Sequence, residues 1–319
     1  MINEKICISM LLGHAVADAA GVPVEFTKRQ RLKEKPVVDM RAYGTYDQPA
    51  GTWSDDTSLT VAAMESMTRL KKIDYEDILK NFLEWYNDDK FTATDETFDC
   101  GNTTAEAIAN FRKGIEPLHC GPTQDFSAGN GSLMRISPVA MYLYLTRGKN
   151  LDAAAMETVH NFSSITHGQK RCLISCGIYC LIAVEIFDGK DLKVAISNGL
   201  ANAKKFYENL REFEDTLKNF DRVFDKNFAG LPEDEIKSRG YVVDSLEAAI
   251  WCLQNTDNYK DLVLKAVNLG GDTDTIAAIA GGLAGAFYGL ENITEKWLGV
   301  LKKKDYLEKM AADFYNAFK

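Results

Sequence analysis

Asn268-Leu-Gly270-Gly271-Asp272-Thr273-Asp274-Thr275 runs straight into Ile276-Ala-Ala-Ile-Ala-Gly-Gly-Leu-Ala-Gly-Ala-Phe287. The second half carries no polar side chain. Ala277, Gly281 and Gly285 recur every four residues, so one helix face is made of small groups. A helix of that kind lets its neighbours approach closely and belongs at the centre of a helical fold. At its mouth stand two aspartates and two threonines. Asp and Thr are ordinary N-caps, because their oxygens take the free amide hydrogens of the first turn. One cap needs only one of them, and further carboxylates at the start of a buried helix are unfavourable unless a cation neutralises them.

A second cluster of the same kind lies far upstream. Gly51-Thr-Trp-Ser54-Asp55-Asp56-Thr57 leads into Ser58-Leu-Thr-Val-Ala-Ala-Met-Glu-Ser-Met67, another helix-like run. Capping alone could account for either cluster taken singly. Two such clusters in one chain favour a shared metal site, although the sequence does not show that they meet in space.

The chain has 319 residues, 46% hydrophobic and 26% charged, the composition of a soluble globular protein. Its formal net charge of −9 argues against nucleic acid as a bulk partner. Seven cysteines, with no CxxC pair, fit a reduced, cytoplasmic protein. Cys172, Cys176 and Cys180 share one helix face and read as core. The N-terminus lacks a signal-peptide pattern, and the run from Ile276 to Leu290 is short of the ~20 residues of a membrane span.

In chain order, apolar residues recur at helical spacing from Ile6 to Ala20, which puts His14 and Asp18 on or near the buried face as a satisfied polar pair. Gly21-Val-Pro23-Val-Glu25 ends that helix and presents Glu25 on a loop. The stretch from Thr27 to Ala50 reads as irregular. Helices follow to about Leu70 and from Tyr75 to Tyr86. Asp99-Cys-Gly-Asn102-Thr103 then gives caps at Asn102 or Thr103, and leaves Asp99 with no structural duty. Ser127-Ala-Gly129-Asn130-Gly131-Ser132 reads as a turn or as an amide nest for phosphate oxygens. Ser137-Pro138 reads as a cap with proline in first position. Nearly everything from Leu151 reads as helix, including Phe213 to Val223 as one segment. No alternating strand pattern persists. The expected fold is all-α, a compact multi-helix bundle, with residues 1–319 as a single domain.

The candidate ligands are carboxylates and hydroxyls, donors that select Mg²⁺, Mn²⁺ or Ca²⁺ over zinc. Neither a GxGxxG fingerprint nor a GxxxxGK[ST] loop is present. Aspartates around a cation pair suit a two-metal hydrolase, with Glu25 and Asp99 as possible general bases.

Gly13-His-Ala-Val-Ala-Asp18-Ala-Ala-Gly21-Val-Pro23-Val-Glu25, Ser54-Asp55-Asp56-Thr57, Asp99-Cys-Gly-Asn102-Thr-Thr, Gly129-Asn130-Gly131-Ser-Leu-Met134-Arg135, Thr166-His167 and Gly270-Gly271-Asp272-Thr-Asp274-Thr275 together resemble the ADP-ribosylglycohydrolase family. The resemblance spans residues from about 13 to 289. It implies hydrolysis of the bond between the ribose anomeric carbon of ADP-ribose and an acceptor, reversing ADP-ribosylation, by a protein expected to act as a monomer. It implies a centre of two Mg²⁺ or Mn²⁺ ions held by Ser54, Asp55, Asp56, Asp272, Asp274 and Thr275. It places Asn102, Ser127, Gly129, Asn130, Gly131, Ser132 and His167 around the substrate, with Glu25 or Asp99 as catalytic base. Ala17 stands where the family has glycine, a change expected to crowd a helix contact, and Ser54 stands where threonine is usual. Two rivals remain at this point: another two-metal hydrolase acting on a nucleotide, and a crystallin-like or ADP-ribose-binding protein without catalysis.

Overall fold

The computed structural model describes residues 2–319. Its helices are α1 (Glu4–Gly21), α2 (Arg29–Glu34), α3 (Asp55–Leu70), α4 (Tyr75–Asp88), α5 (Asn102–Arg112), α6 (Ser137–Arg147), α7 (Ala153–Ser164) and α8 (Lys170–Phe187). They continue as α9 (Leu192–Glu208), α10 (Glu214–Leu217), α11 (Asp221–Phe224), α12 (Val242–Gln254), α13 (Tyr259–Asn268), α14 (Thr273–Tyr288), α15 (Glu295–Val300) and α16 (Lys304–Phe318). Among the described residues there is no strand, only one isolated antiparallel bridge between Gly129 and Tyr241. The all-α expectation is met.

The α1–α14 pair is the axis of the molecule, and every residue of α14 as far as Ala286 is buried. The two backbones touch because the side chains between them are small. A Cβ on Gly281 would lie 2.4 Å from the Ala17 methyl and 2.6 Å from the Gly13 carbonyl oxygen. A Cβ on Gly285 would lie 2.2 Å from the Ser9 carbonyl oxygen. The Ala17 methyl therefore does not crowd the contact, since Gly281 leaves its space open. Around this axis α3, α12, α13 and α16 pack, and one apolar core runs from Ile2 to Phe318. The window from Glu4 to Val24 is long and apolar enough to cross a membrane, but 89% of it is buried inside the protein, which makes α1 a core helix.

Three readings are corrected. The stretch from Thr27 to Ala50 is not wholly irregular: it holds α2 and a 3-10 turn at Gly44–Tyr46. The segment from Phe213 to Val223 is two single-turn helices, α10 and α11, joined by a 3-10 turn. Ser137 is the first helical residue of α6 rather than its cap, which falls on Ile136.

Candidate active site

The two acidic clusters meet where the end of α1 abuts the starts of α3 and α14. Thr273 Oγ1 donates to the Gly21 carbonyl at 2.8 Å, and a Cβ on Gly21 would come within 2.3 Å of the Asp274 Cα. Only glycine lets the chain leaving α1 touch this turn. Asp18, one turn earlier on α1, reaches across to α3. Its carboxylate accepts from the Ser54 amide at 3.0 Å, the Thr57 amide at 3.2 Å and the Thr57 hydroxyl at 2.6 Å. Asp18 is thus satisfied as expected, but by α3; both ring nitrogens of His14 are buried without a hydrogen-bond partner, so the expected satisfied pair is only half met.

That arrangement answers the capping question. The amides at the start of α3 are taken by Asp18 and by Ser54 Oγ, which accepts from the Asp56 amide at 3.3 Å. At α14, the cap residue Asp272 makes no side-chain capping bond, and its carboxylate accepts from Asn130 Nδ2 at 2.7 Å instead. Capping explains Ser54 but not Asp55, Asp56 or Asp272. Thr275 Oγ1 donates to Asp56 Oδ2 at 3.1 Å, joining the clusters across 219 residues of sequence.

Carboxylate oxygens of Asp18, Asp56 and Asp274 lie within 4.8 Å of one another, and so do those of Glu25, Asp99 and Asp274. Asp274 belongs to both groups. Asp56 Oδ1, Asp274 Oδ2 and Glu25 Oε2 are buried without a hydrogen-bond partner. Buried acceptors are ordinarily satisfied, so three orphaned oxygens divided between two groups that share Asp274 fit bound cations. Burial, reinforced by the neighbouring acids, holds Asp55, Asp56 and Asp274 well above the usual carboxylate range.

Glu25 is 5% exposed, and burial followed by repulsion from Asp99 pushes its carboxyl up to about 9. Asp99 is half-buried and also raised by burial, but hydrogen bonds from Tyr46 and Glu25 pull it back. Both acids are thus raised, and Asp99 adds to the rise at Glu25 while hydrogen bonds oppose it at Asp99. Asp99 sits at φ 53°, a left-handed conformation that aspartate adopts more readily than most side chains. Tyr46, whose hydroxyl lowers both acids, was missed by sequence reasoning; it lies in the stretch read as irregular, where no periodicity marks it.

A cleft of about 330 Å³ opens over these acids. Its lining includes Glu25, Asp55, Asp99, Asn102, Gly129, Asn130, Gly131, His167, Asp272 and Thr275, with exposed Phe26 and Phe126 at the rim. Asn102 and Thr103 line the cleft rather than cap α5, whose cap is Gly101. Ser127 and Ser132 do not line it. Ser127 donates to Gln124, and Ser132 is wholly buried against Ser163 and Cys176. The loop at Gly129 is only partly an amide nest, since the Asn130 amide bonds the Gly240 carbonyl at 3.1 Å. Gly131 is small because a Cβ there would strike the His167 ring at 2.7 Å.

The tautomer of His167 follows from its neighbours. Fully buried Arg135 lies between the Phe82 and Phe162 rings and donates to Thr166 Oγ1 at 2.6 Å. The Thr166 proton is then free for His167 Nδ1, 2.8 Å away. With the Thr166 hydroxyl donating to Nδ1, Nε2 carries the hydrogen, and it faces Gly129 and Gly131. Burial, then the Arg135 charge, lowers His167 to about 3, so it is a neutral donor aimed into the cleft.

The model of the ADP-ribosylglycohydrolase family matches residues 4–319. The chain belongs to this family. An ADP-ribosylarginine hydrolase, Tri1, of Pseudomonas putida (strain GB-1) is 30% identical over 309 residues, which is 96% of this chain and 76% of the relative. The ADP-ribosyl-[dinitrogen reductase] glycohydrolase of Rhodospirillum rubrum is 27% identical, over 93% of this chain and 90% of the relative. A solved ADP-ribosylglycohydrolase-related protein complex superposes with a TM-score of 0.79 at 27% identity, covering 99% of both chains. As an ADP-ribosylglycohydrolase the protein is a hydrolase of glycosyl bonds that removes ADP-ribose from an acceptor.

Proposed function

We propose that this ADP-ribosylglycohydrolase cleaves ADP-ribose from arginine side chains, acting as a single domain, with two Mg²⁺ or Mn²⁺ ions at the acidic centre. The observation that carries the reading is the pair of carboxylate groups sharing Asp274, drawn from both ends of the chain and holding unpartnered oxygens. The arginine acceptor rests on the names of the relatives from Pseudomonas putida and others like it. Ser54, Asp55, Asp56, Asp272, Asp274 and Thr275 would hold the ions, which supply Lewis-acid orientation of the ribose hydroxyls and of a water.

The chain's own residues do the rest. Asn102, Gly129, Gly131 and His167 bind the ADP-ribose, with His167 Nε2 donating to it. Asn130 acts indirectly, holding Asp272 with the amide nitrogen that also donates to Ser245 Oγ at 2.8 Å. Asp99 removes a proton from the attacking water while Glu25 and Tyr46 hold Asp99 in place. The burial of Ser127 and Ser132 leaves them to shape the loop from beneath. In the test, the chelated protein is supplied with Mg²⁺ or Mn²⁺ and ADP-ribosylarginine, and release of ADP-ribose is followed by mass spectrometry. Asp55→Ala and Asp274→Ala should each abolish metal-dependent turnover with helical content intact. Near-wild-type turnover in either variant at low Mg²⁺ would refute the shared site.

A further inference from the structure

Beyond Phe26 the cleft continues into a second groove of about 610 Å³, between α2 and the chain from Asp234 to Arg239. The two share Phe26, and Gly240 and Asp272 of the cleft directly follow Arg239 and Gly271 of the groove in the chain, so the groove adjoins the cleft. In a protein of net charge −9, this groove is lined by Lys28, Arg29, Lys33, Lys237 and Arg239 against one carboxylate, Asp234. Lys33 is paired with Asp234 and Glu233, and Arg239 with Asp244. Lys28 and Lys237 are exposed at the groove. Arg29 is the unusual member. Its guanidinium donates to the Leu269, Glu233 and Ile236 carbonyls at 2.7, 2.6 and 2.5 Å and to the Ser238 hydroxyl at 3.2 Å. Every one of these partners is neutral. The bonds fix the cation in the floor of the groove without a salt-bridge partner, although its charge reaches Asp234.

We propose that this groove docks an acidic polypeptide segment adjoining the modified residue of the acceptor protein. The inference rests on the hydrolase reading above, which puts the acceptor at the cleft mouth. It adds that acceptors with glutamate or aspartate beside the modified arginine are preferred. Complementary charge at such a rim acts through encounter rate and is screened by salt.

The test uses two peptides of equal length, each with one ADP-ribosylarginine, one flanked by glutamates and one by serines. The metal-loaded protein gives kcat/KM for both, and anisotropy of the labelled peptides after metal removal gives binding without turnover. Wild type should favour the glutamate peptide by roughly three- to tenfold at low salt, with the gap closing near about 0.5 M salt. A Lys28→Ser, Lys237→Ser double variant should lose the gap and hydrolyse free ADP-ribosylarginine at the wild-type rate. Equal binding of both peptides by wild type, or an unchanged gap in the double variant, would overturn the proposal. So would a single-stranded oligonucleotide that displaces the acidic peptide at lower concentration than the peptide itself. Absence of hydrolysis of free ADP-ribosylarginine strikes the catalytic reading alone, because anisotropy still reports the charge preference.

Discussion

At the scale of single residues, Glu25 and Asp99 are both raised by burial, and they differ in that Asp99 adds to the rise at Glu25 while hydrogen bonds from Tyr46 and Glu25 oppose it at Asp99. Both Glu25→Gln and Asp99→Asn keep shape and remove basicity, so both should still bind ADP-ribose. Asp99→Asn should lose about 10²–10⁴ in single-turnover rate, the usual effect of removing a general base. Glu25→Gln should lose less, since its amide can still donate to Asp99, and Tyr46→Phe should fall between wild type and Asp99→Asn. Normal turnover in both acid variants would mean that neither is the base. Gly131 gives a second prediction. Its φ is not among the left-handed ones, so crowding alone makes it small. Gly131→Val should push the His167 ring aside and weaken ADP-ribose binding by calorimetry; unchanged affinity would make this stretch an ordinary turn. The acids were legible in the sequence because clustered Asp and Thr before apolar runs are chemically conspicuous. Tyr46 and the Arg135–Thr166–His167 relay were not, because each acts through partners distant in the chain or through a side chain with no pattern around it.

Among the elements, α1 and α14 carry the geometry. The close contact that puts Gly21 against Asp274 depends on Gly13, Ala17, Gly281 and Gly285 along the same seam. Gly281→Ala would add a methyl where the Gly13 carbonyl and Ala17 methyl already stand. It should destabilise the fold by about 1–3 kcal/mol, the usual range for overpacking. Because the seam also sets where Asp274 sits, metal affinity should fall with it. Denaturant unfolding and metal titration check the two effects. An unshifted midpoint would show that the helices move apart at no cost. The periodicity of α14 announced a central helix. Nothing in the sequence announced that its partner would be α1, 250 residues away, since small residues specify closeness and not identity.

The charge balance of the whole molecule links the site to stability. In the folded protein Asp18 is raised to about 7 and Glu25 to about 9, chiefly by burial, with Asp55, Asp56 and Asp274 raised as well. In the unfolded chain such groups release their protons near about pH 4. Between those limits the folded state binds more protons than the unfolded one, so stability falls as pH rises through the folded values. With metal removed by chelator, the Tm should therefore drop between about pH 6.5, above which the buried, lowered His14, His160 and His167 no longer oppose the trend, and about pH 9. With Mg²⁺ or Mn²⁺ at saturation the drop should be smaller, because the ions take the place of the protons. A metal-free Tm that is flat or rises with pH, measured by calorimetry, would show that these acids are not held protonated by burial.

What the sequence by itself determined is the class of structure and the inventory of chemistry. Helical periodicity is local, and it read correctly for the long helices from α1 to α16, while the segment from Phe213 to Val223 broke into two single turns. The hard-oxygen ligand set is also local, since each cluster lies within a few residues. What only the tertiary structure decided is which oxygens are already engaged. Asp18 and Ser54 take the amides of α3, Asn130 holds Asp272, and Ser132 is buried below the loop. Hydrogen bonds saturate, so an aspartate is free to hold a cation only after a distant residue has supplied the cap. That accounting closes when α1, α3 and α14 are packed together, and not before.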